Sequence, residues 1–527
     1  MTTSAPSIQE LALLRAENQA LQAENQALQS RNQAMQTAVD DLSSKITSLQ
    51  ETVRHLQRLL FGRKSERVVA DGLQPLLPME GLEPAAPEAD ASPGEHVEAH
   101  ERRRAAHHNA GWNEFPPELP REELVLDVPE AERAGLAKVG EERAERLMYR
   151  GGYYVQVVVR PVYGAPEAPR AGLVCAPPPA VPVCMAPNAD RCHYDISVVV
   201  HVIAAKVVDH LPFHRQEQMF LRMGVRFGRA AMCGCFAAAS EALEPLFAVL
   251  FAKVKACPVL HGDESPVDVL DPGSGKTATG WLWALRTGVG PPMTAFEFSM
   301  DRSGQTALRI LADFFGTLIR DGYAAYGQLP ATAAGCWAHV RRKFFEAQEN
   351  HPALAAEAIA LIRKLYAHER DAKEAAMRRR TETALVKERR KVRRLSAPVA
   401  DAFFALCRRI GAEQPPASSI ARAAGYAADR EAELRRFLAD ARLNIDNNPC
   451  ENVIRPFCLG RKNWLFVGGR DGGRRMAILA SFAATCKENG VDFEKWLLDV
   501  LVRLDHTTPK QLPSLLPHLW KTAQTQA

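Results

Sequence analysis

The stretch CPVLHGDESPVDVL, residues 257–270, decides how the rest of the chain is read. Apolar residues lead into two acids, Asp263 and Glu264, so its first ten residues read as a β-strand ending in carboxylates. Next, TGWLWALRTG (279–288) reads as a second strand, and MTAFEFSM (293–300) as a third with apolar and polar residues alternating. Helical spacing follows in SGQTALRILADFFG (303–316), where Ser303 is placed to cap the first turn. GTLIRDGYAAY (316–326) is then a fourth short strand ending at Asp321.

Three hairpin-linked strands, a helix and a fourth strand match the opening half of a ribonuclease-H-like α/β fold. In such a fold, carboxylates closing the first and fourth strands lie side by side. Asp263 and Asp321 hold those places, 321 − 263 = 58 residues apart. A third acid, Glu451, lies 451 − 321 = 130 residues further on, in NIDNNPCENVIRPFCLGRKNWLF (444–466). Arg455, Arg461 and Lys462 follow it, and Trp464 suits either a core or a base-stacking surface. Alone, Glu451 reads as a salt-bridged helix face; with two matching acids it reads as a ligand. Three carboxylates on separate elements suit two divalent cations about 4 Å apart, which activate one oxygen and stabilise another in phosphodiester displacement. Mg2+ and Mn2+ are hard ions that prefer such oxygens. Glu264 is the alternative to Asp263 as first ligand, and Asp268 is a further neighbour.

The 527 residues exceed one core and suggest three or four domains. Hydrophobic residues make up 46% and charged residues 24%, the composition of a globular chain; no secretory signal and no apolar run of bilayer-crossing length is read. Eleven scattered cysteines fit a reducing cytosol. The net charge of +4 is too small to name a partner. Leu14, Leu21, Leu28, Met35, Leu42, Leu49 and Leu56 recur every seven residues, with Asn18, Asn25, Asn32, Val39, Ile46 and Val53 four positions after the first six. That seam predicts a coiled coil and a homo-oligomer, its three asparagines favouring a parallel dimer. Residues 71–100, with seven acids, five prolines and no Lys or Arg, read as an acidic linker, followed by the basic run ERRR (101–104). YYVQVVVRPVY (153–163) is a strand of a small β-rich module. Cys175, Cys184 and Cys192 lack the two-residue gaps of paired zinc ligands. Two short helices broken at Pro212, then a turn and a long apolar helix to about Ala256, form a helix-turn-helix-like region, with Cys233 and Cys235 read as packing. The stretch from His351 to about Ala441 is a helical insertion. Arg370–Arg394 within it carries eleven Lys/Arg against four Asp/Glu and suits a DNA-lying arm. GSGKT (273–277) lacks the glycine a phosphate-binding loop needs five positions before Gly275, since position 270 is Leu270.

The blocks HGDESPVDVL, RDGYAAY, GCWAHVRRKFFEA, DNNPCENVIRPFCLGRKNWLF and ASFAATCKENGVDFEKWLLDVL, with LFGRKSERV and AAKVVDHLPFHRQEQMF before them, resemble the insertion-sequence-66 family of DDE transposases. The resemblance covers nearly the whole chain, in order. It implies that Asp263, Asp321 and Glu451 are the metal-binding triad, with two Mg2+ or Mn2+ ions. It implies cleavage of insertion-sequence ends and transfer of a 3′-hydroxyl to target DNA. Arg455, Arg461, Lys462, His339, Arg341 and Arg342 become DNA-phosphate candidates. The partners implied are double-stranded DNA, a second copy of the chain and accessory transposition proteins, in the cytoplasm at the nucleoid and away from membranes. The family's small zinc module departs here, because Val128–Gly140 holds no cysteine, which leaves zinc in doubt. The expected layout is a coiled coil over 1–68, a linker over 69–125, the β-rich module over 126–196 and the helical DNA-binding region over 197–256. The catalytic domain takes 257–350 plus 441–485, the insertion 351–440 and a helical tail 486–527. The competing readings are a DNA-binding regulator without catalysis and a nuclease of the same fold without strand transfer.

Overall fold

The structure, a computed structural model, describes residues 115–167, 172–179, 193–271, 276–377 and 381–526, with scattered positions between 22 and 46. The seam beyond those positions, LFGRKSERV, the acidic linker, ERRR, Cys184, Cys192 and Gly273–Gly275 all lie outside the described residues.

The chain is a mixed α/β protein with two sheets. The first holds β1 (Arg121–Val125), β2 (Ala137–Tyr149), β3 (Tyr153–Gly164) and β4 (Val174–Cys175). β2 and β3 form a long antiparallel hairpin, β1 runs parallel to β3 on its other side, and β4 pairs with the end of β3. The β-branched run of β3 explains its length: Val155, Val157 and Val159 alternate inward and pack with Leu147 against Val198, Val202 and Phe220.

Three helices follow: α1 (Ile196–Val207), α2 (Phe213–Arg222) and α3 (Arg229–Lys255). The break falls at Pro212, which caps α2. α1 and α3 send Val199, Ile203, Leu243, Leu246 and Leu250 into the core that also holds the second sheet, so this region packs directly on that sheet. The sequence reading of no bilayer-length apolar run is corrected by α3, which by length and composition could cross a membrane. Its buried stripe from Met232 to Val254 is that of a core helix. Cys235 packs against this core as expected, whereas Cys233 is exposed.

The second sheet contains β5 (Val259–Leu270), β6 (Thr277–Thr287), β7 (Thr294–Ser299), β8 (Thr317–Arg320) and β9 (Thr332–Gly335), with α4 (Gly304–Leu311) between β7 and β8. Its order is β7-β6-β5-β8-β9; the first three strands are antiparallel, and β8 and β9 run parallel to β5. Ser303 caps α4, its hydroxyl accepting from the Thr306 N–H at 3.2 Å. β5 does not end at the acids. Val267 and Val269 continue the buried alternation to Leu270, so the hairpin with β6 runs on past Asp263.

Beyond β9 come α5 (Trp337–Ala347), then the insertion α6 (Pro352–Met377), α7 (Glu382–Glu413), α8 (Ser419–Ala428) and α9 (Glu431–Ala439). Phe403, Phe404, Cys407 and Ile410 of α7 pack on Trp337 and Phe344 of α5. The DNA-lying arm needs correction at two positions, because Arg389 and Arg393 are 4% and 2% exposed. They face inward on the same stripe of α7 as Ala400 and Phe403, and both meet the carboxylate of buried Glu369. The chain returns through α10 (Asn448–Trp464), a short β10 (Phe466–Val467), α11 (Arg470–Glu488) and α12 (Phe493–Arg503). Trp464 is 8% exposed and packs on Phe457, a core position.

Candidate active site

β5 carries Asp263 on an edge that the sheet leaves open. On that side β8 pairs only with Val259–His261, and β10 pairs only with Asp268–Val269. From Gly262 to Val267 that edge has no partner strand among the described residues. The β5–β8 register pairs Val259–His261 with Thr317–Ile319, and Asp263 and Asp321 each lie two residues beyond its last pair. Asp321 follows the last residue of β8 and accepts from the Tyr323 N–H at 2.9 Å.

α10 enters this gap and brings the third acid. Asn447 precedes its first turn, Pro449 fits the N-terminal position where no amide hydrogen is needed, and Glu451 lies in that first turn. The Asn447 amide holds the helix start against β5, donating to Gly262 O at 2.9 Å. Its carbonyl oxygen accepts from His261 Nδ1 at 3.0 Å, while Asn444 Nδ2 donates to His261 Nε2 at 3.0 Å. Arg389 of the insertion donates to Asn444 Oδ1 at 2.7 Å. His261 is fully buried, and burial pushes its pKa down to about 3, so it stays a neutral imidazole with its proton on Nδ1. This relay fixes where Glu451 stands relative to Asp263.

Asp263 also feels the charges of the other two acids. Burial, then the charge of Glu264, and then those of Asp321 and Glu451 push the Asp263 carboxyl up to about 7. A Glu264 N–H bond of 2.9 Å to Asp263 Oδ1 offsets only part of this. Glu264 points the other way, as neighbours on a strand must. Arg302 Nε donates to its Oε1 at 2.8 Å and Tyr326 Oη to its Oε2 at 2.5 Å. Arg302 is itself stacked on Tyr323, 3.7 Å from the ring centre. Thus Glu264 is neutralised while Asp263 faces other acids. Asp268, beyond the gap, is exposed.

His339, in the first turn of α5, places Nδ1 3.9 Å from Glu451 Oε1. Both atoms are buried and neither has a hydrogen-bond partner. Cys336 adjoins them, and the three ligand atoms lie within 4.8 Å of one another. The orphaned Glu451 Oε1 and His339 Nδ1 are an oxygen and a nitrogen donor that fit a divalent cation.

The other predicted residues divide. Arg455, Lys462 and Arg342 are exposed; Arg341 is half-buried. Arg461 is tied back to β5, donating through Nη1 to Ser265 Oγ at 3.2 Å and to Pro266 O. His261, Asn444 and Asn447 escaped the sequence reading, though all three lie within a few residues of the acids it chose.

The model described as Transposase IS66 family matches residues 191–475, and the IS66 C-terminal element matches 481–518. A model described as Transposase C of IS166 homeodomain matches 48–124, and a KIF21A-like domain matches the heptad stretch, 14–72. The uncharacterized protein y4qI of Sinorhizobium fredii is 35% identical over 431 residues, 77% of each chain. The uncharacterized protein y4jD of the same organism is 31% identical over 501 residues, 90% of this chain and 94% of the relative.

Proposed function

Because the chain belongs to the IS66 family of transposases, we propose that it cuts insertion-sequence ends and joins the freed 3′-hydroxyl to target DNA, using Asp263, Asp321 and Glu451 to hold two Mg2+ or Mn2+ ions. The observation that supports this is Asp263 in the gap of β5, whose carboxyl is pushed up to about 7 by burial and by the charges of Glu264, Asp321 and Glu451. A structural carboxylate would have a cation on the protein, as Glu264 has. The strand order supports a ribonuclease-H-like core: three antiparallel strands, a helix and two parallel strands.

Bound divalent ions would activate the attacking oxygen and stabilise the departing one. The protein's part is to set the carboxylates in place. Asp263 lies on β5 and Asp321 follows the end of the neighbouring β8, and the Asn447 and His261 hydrogen bonds hold the start of the helix that carries Glu451. Arg455, one turn beyond Glu451, and Lys462 are exposed cations suited to the phosphates that flank a bound strand, with Arg341, Arg342 and the free side of Arg461 around them. Leu28, Met35 and Ile46 of the heptad seam are 52%, 60% and 55% exposed, which supports a seam that pairs with a second copy. The proposal keeps the domain layout, the DNA partner and the accessory proteins that the sequence leads one to expect.

The test is mobility of a marked element in a bacterial host with Asp263→Asn, Asp321→Asn and Glu451→Gln. Each substitution is expected to abolish transposition; wild-type mobility in any of them removes that residue from the site. Deleting residues 1–60 is expected to shift the protein to a smaller species in sedimentation.

A further inference from the structure

We propose that His339 is a metal ligand: its Nδ1 and Glu451 Oε1 take the same divalent cation, giving a site of three carboxylates and one imidazole. This rests on the reading of Asp263, Asp321 and Glu451 as metal carboxylates, and it reassigns a residue that the sequence places on DNA phosphate.

The geometry selects a cation over the alternatives. At 3.9 Å the two atoms are too far apart for a hydrogen bond. Two ligands on adjacent corners of an octahedron with bonds of about 2.1 Å stand roughly 3 Å apart. The pair is therefore within about 1 Å of that edge, a shift within reach of side-chain rotation alone. Both atoms are buried and unpartnered, so each bears a desolvation cost that a shared ion would remove. A protonated imidazole paired with Glu451 would instead close to about 2.8 Å. His339 is held in position because α5 begins at Trp337, whose ring is fully buried and whose indole N–H donates to Leu434 O at 2.9 Å.

Cys336 is not part of the set. Its Sγ already accepts from the Asn447 N–H at 3.2 Å, and burial pushes the thiol up to about 12. It is the anchor between the start of α5 and the start of α10, and so positions both His339 and Glu451.

A nitrogen donor has a chemical consequence. Imidazole favours borderline ions over Mg2+, so this site binds Mn2+ in preference to Mg2+ more strongly than an all-carboxylate site would.

The experiment uses Mn2+ as the probe on the full-length protein without DNA. Bound ions are counted by electron paramagnetic resonance, and coordinated nitrogen is read by electron spin-echo envelope modulation. Wild-type protein is expected to show 14N modulation. His339→Ala is expected to lose it and to weaken Mn2+ binding at least about tenfold, since even outer-sphere partners of a ligand are worth that much. Cys336→Ser is expected to keep both. His339→Asp, which restores an oxygen donor, is expected to recover binding without the nitrogen signal and with a lower Mn2+ to Mg2+ preference. Mn2+ binding that depends on Asp263 but shows no 14N modulation overturns the proposal and leaves the carboxylate reading standing. Mn2+ binding unchanged in Asp263→Asn overturns that reading, and the proposal with it. Loss of DNA binding in His339→Ala with an unchanged Mn2+ spectrum returns His339 to the phosphate.

Discussion

A buried acid and a half-buried one in this chain have opposite surroundings. In the insertion, Glu369 is 4% exposed and meets two arginines: Arg393 Nε at 2.6 Å and Arg389 Nε at 2.9 Å. Those arginines go on to bind Asp440 O, Leu443 O and Asn444 Oδ1 at 2.7–2.8 Å. In the gap of β5, Asp263 has no ion pair among the described residues and accepts one backbone N–H, and burial and the charges of Glu264, Asp321 and Glu451 push its carboxyl up to about 7. A carboxylate taken out of water is costly unless a cation compensates it. Where the compensation comes from the chain, the acid serves the fold. Where the chain withholds it, as at Asp263, the proposed function assigns the acid to an ion brought in from outside. Glu264 makes the same point at the closest range, since it adjoins Asp263 in sequence and has its own arginine.

That contrast breaks most decisively on activity. Asp263→Asn is expected to lower mobility by at least about a thousandfold, because two-metal chemistry loses a ligand. In chelator its melting temperature is expected to be unchanged or a few degrees higher, since one of several crowded charges is gone. A marked fall in melting temperature would place Asp263 with the structural acids. Glu369→Ala should do the reverse. It leaves two buried guanidinium groups unpaired and is expected to cost about 3–5 kcal/mol in urea unfolding. A cost under 1 kcal/mol would mean that the cluster is not what holds the insertion. Glu264→Gln is expected to fall between them, at about 1–3 kcal/mol, with mobility retained once the protein is folded. The smallest effect is expected from Arg390→Ala with Arg394→Ala, exposed neighbours of the buried pair. Stability should hold within about 0.5 kcal/mol, while the slope of DNA affinity against salt falls by roughly one per residue that touches phosphate.

Four strands of the second sheet, β5 to β8, were legible because hairpin-linked runs alternate clearly and Ser303 marks the helix before the fourth. The end of β5 was misread because acids look like strand terminators, yet Val267 and Val269 carry the alternation past them. Counting charges made Arg370–Arg394 an arm lying along DNA. The missed signal was positional: Arg389, Arg393, Ser396, Ala400 and Phe403 share one face of α7, and that face turns apolar as it continues. His339 is 451 − 339 = 112 residues from Glu451, and no local pattern reports a contact that the sheet and two helix starts bring about. The same holds for His261, which reads as an ordinary strand residue until Asn444 and Asn447 close on both of its nitrogens.

The position of α10 late in the chain also bears on timing. On the proposed site, Asp263 and Asp321 leave the ribosome early, and Glu451 follows 451 − 321 = 130 residues later. At roughly 5–20 residues per second, that is a delay of about 6–26 s. During that interval β5 presents an open edge and two acids without the third, and the helix that closes the gap has not been made. On that reading a nascent chain lacks the full set of proposed carboxylates until its insertion has been synthesised and α10 has docked.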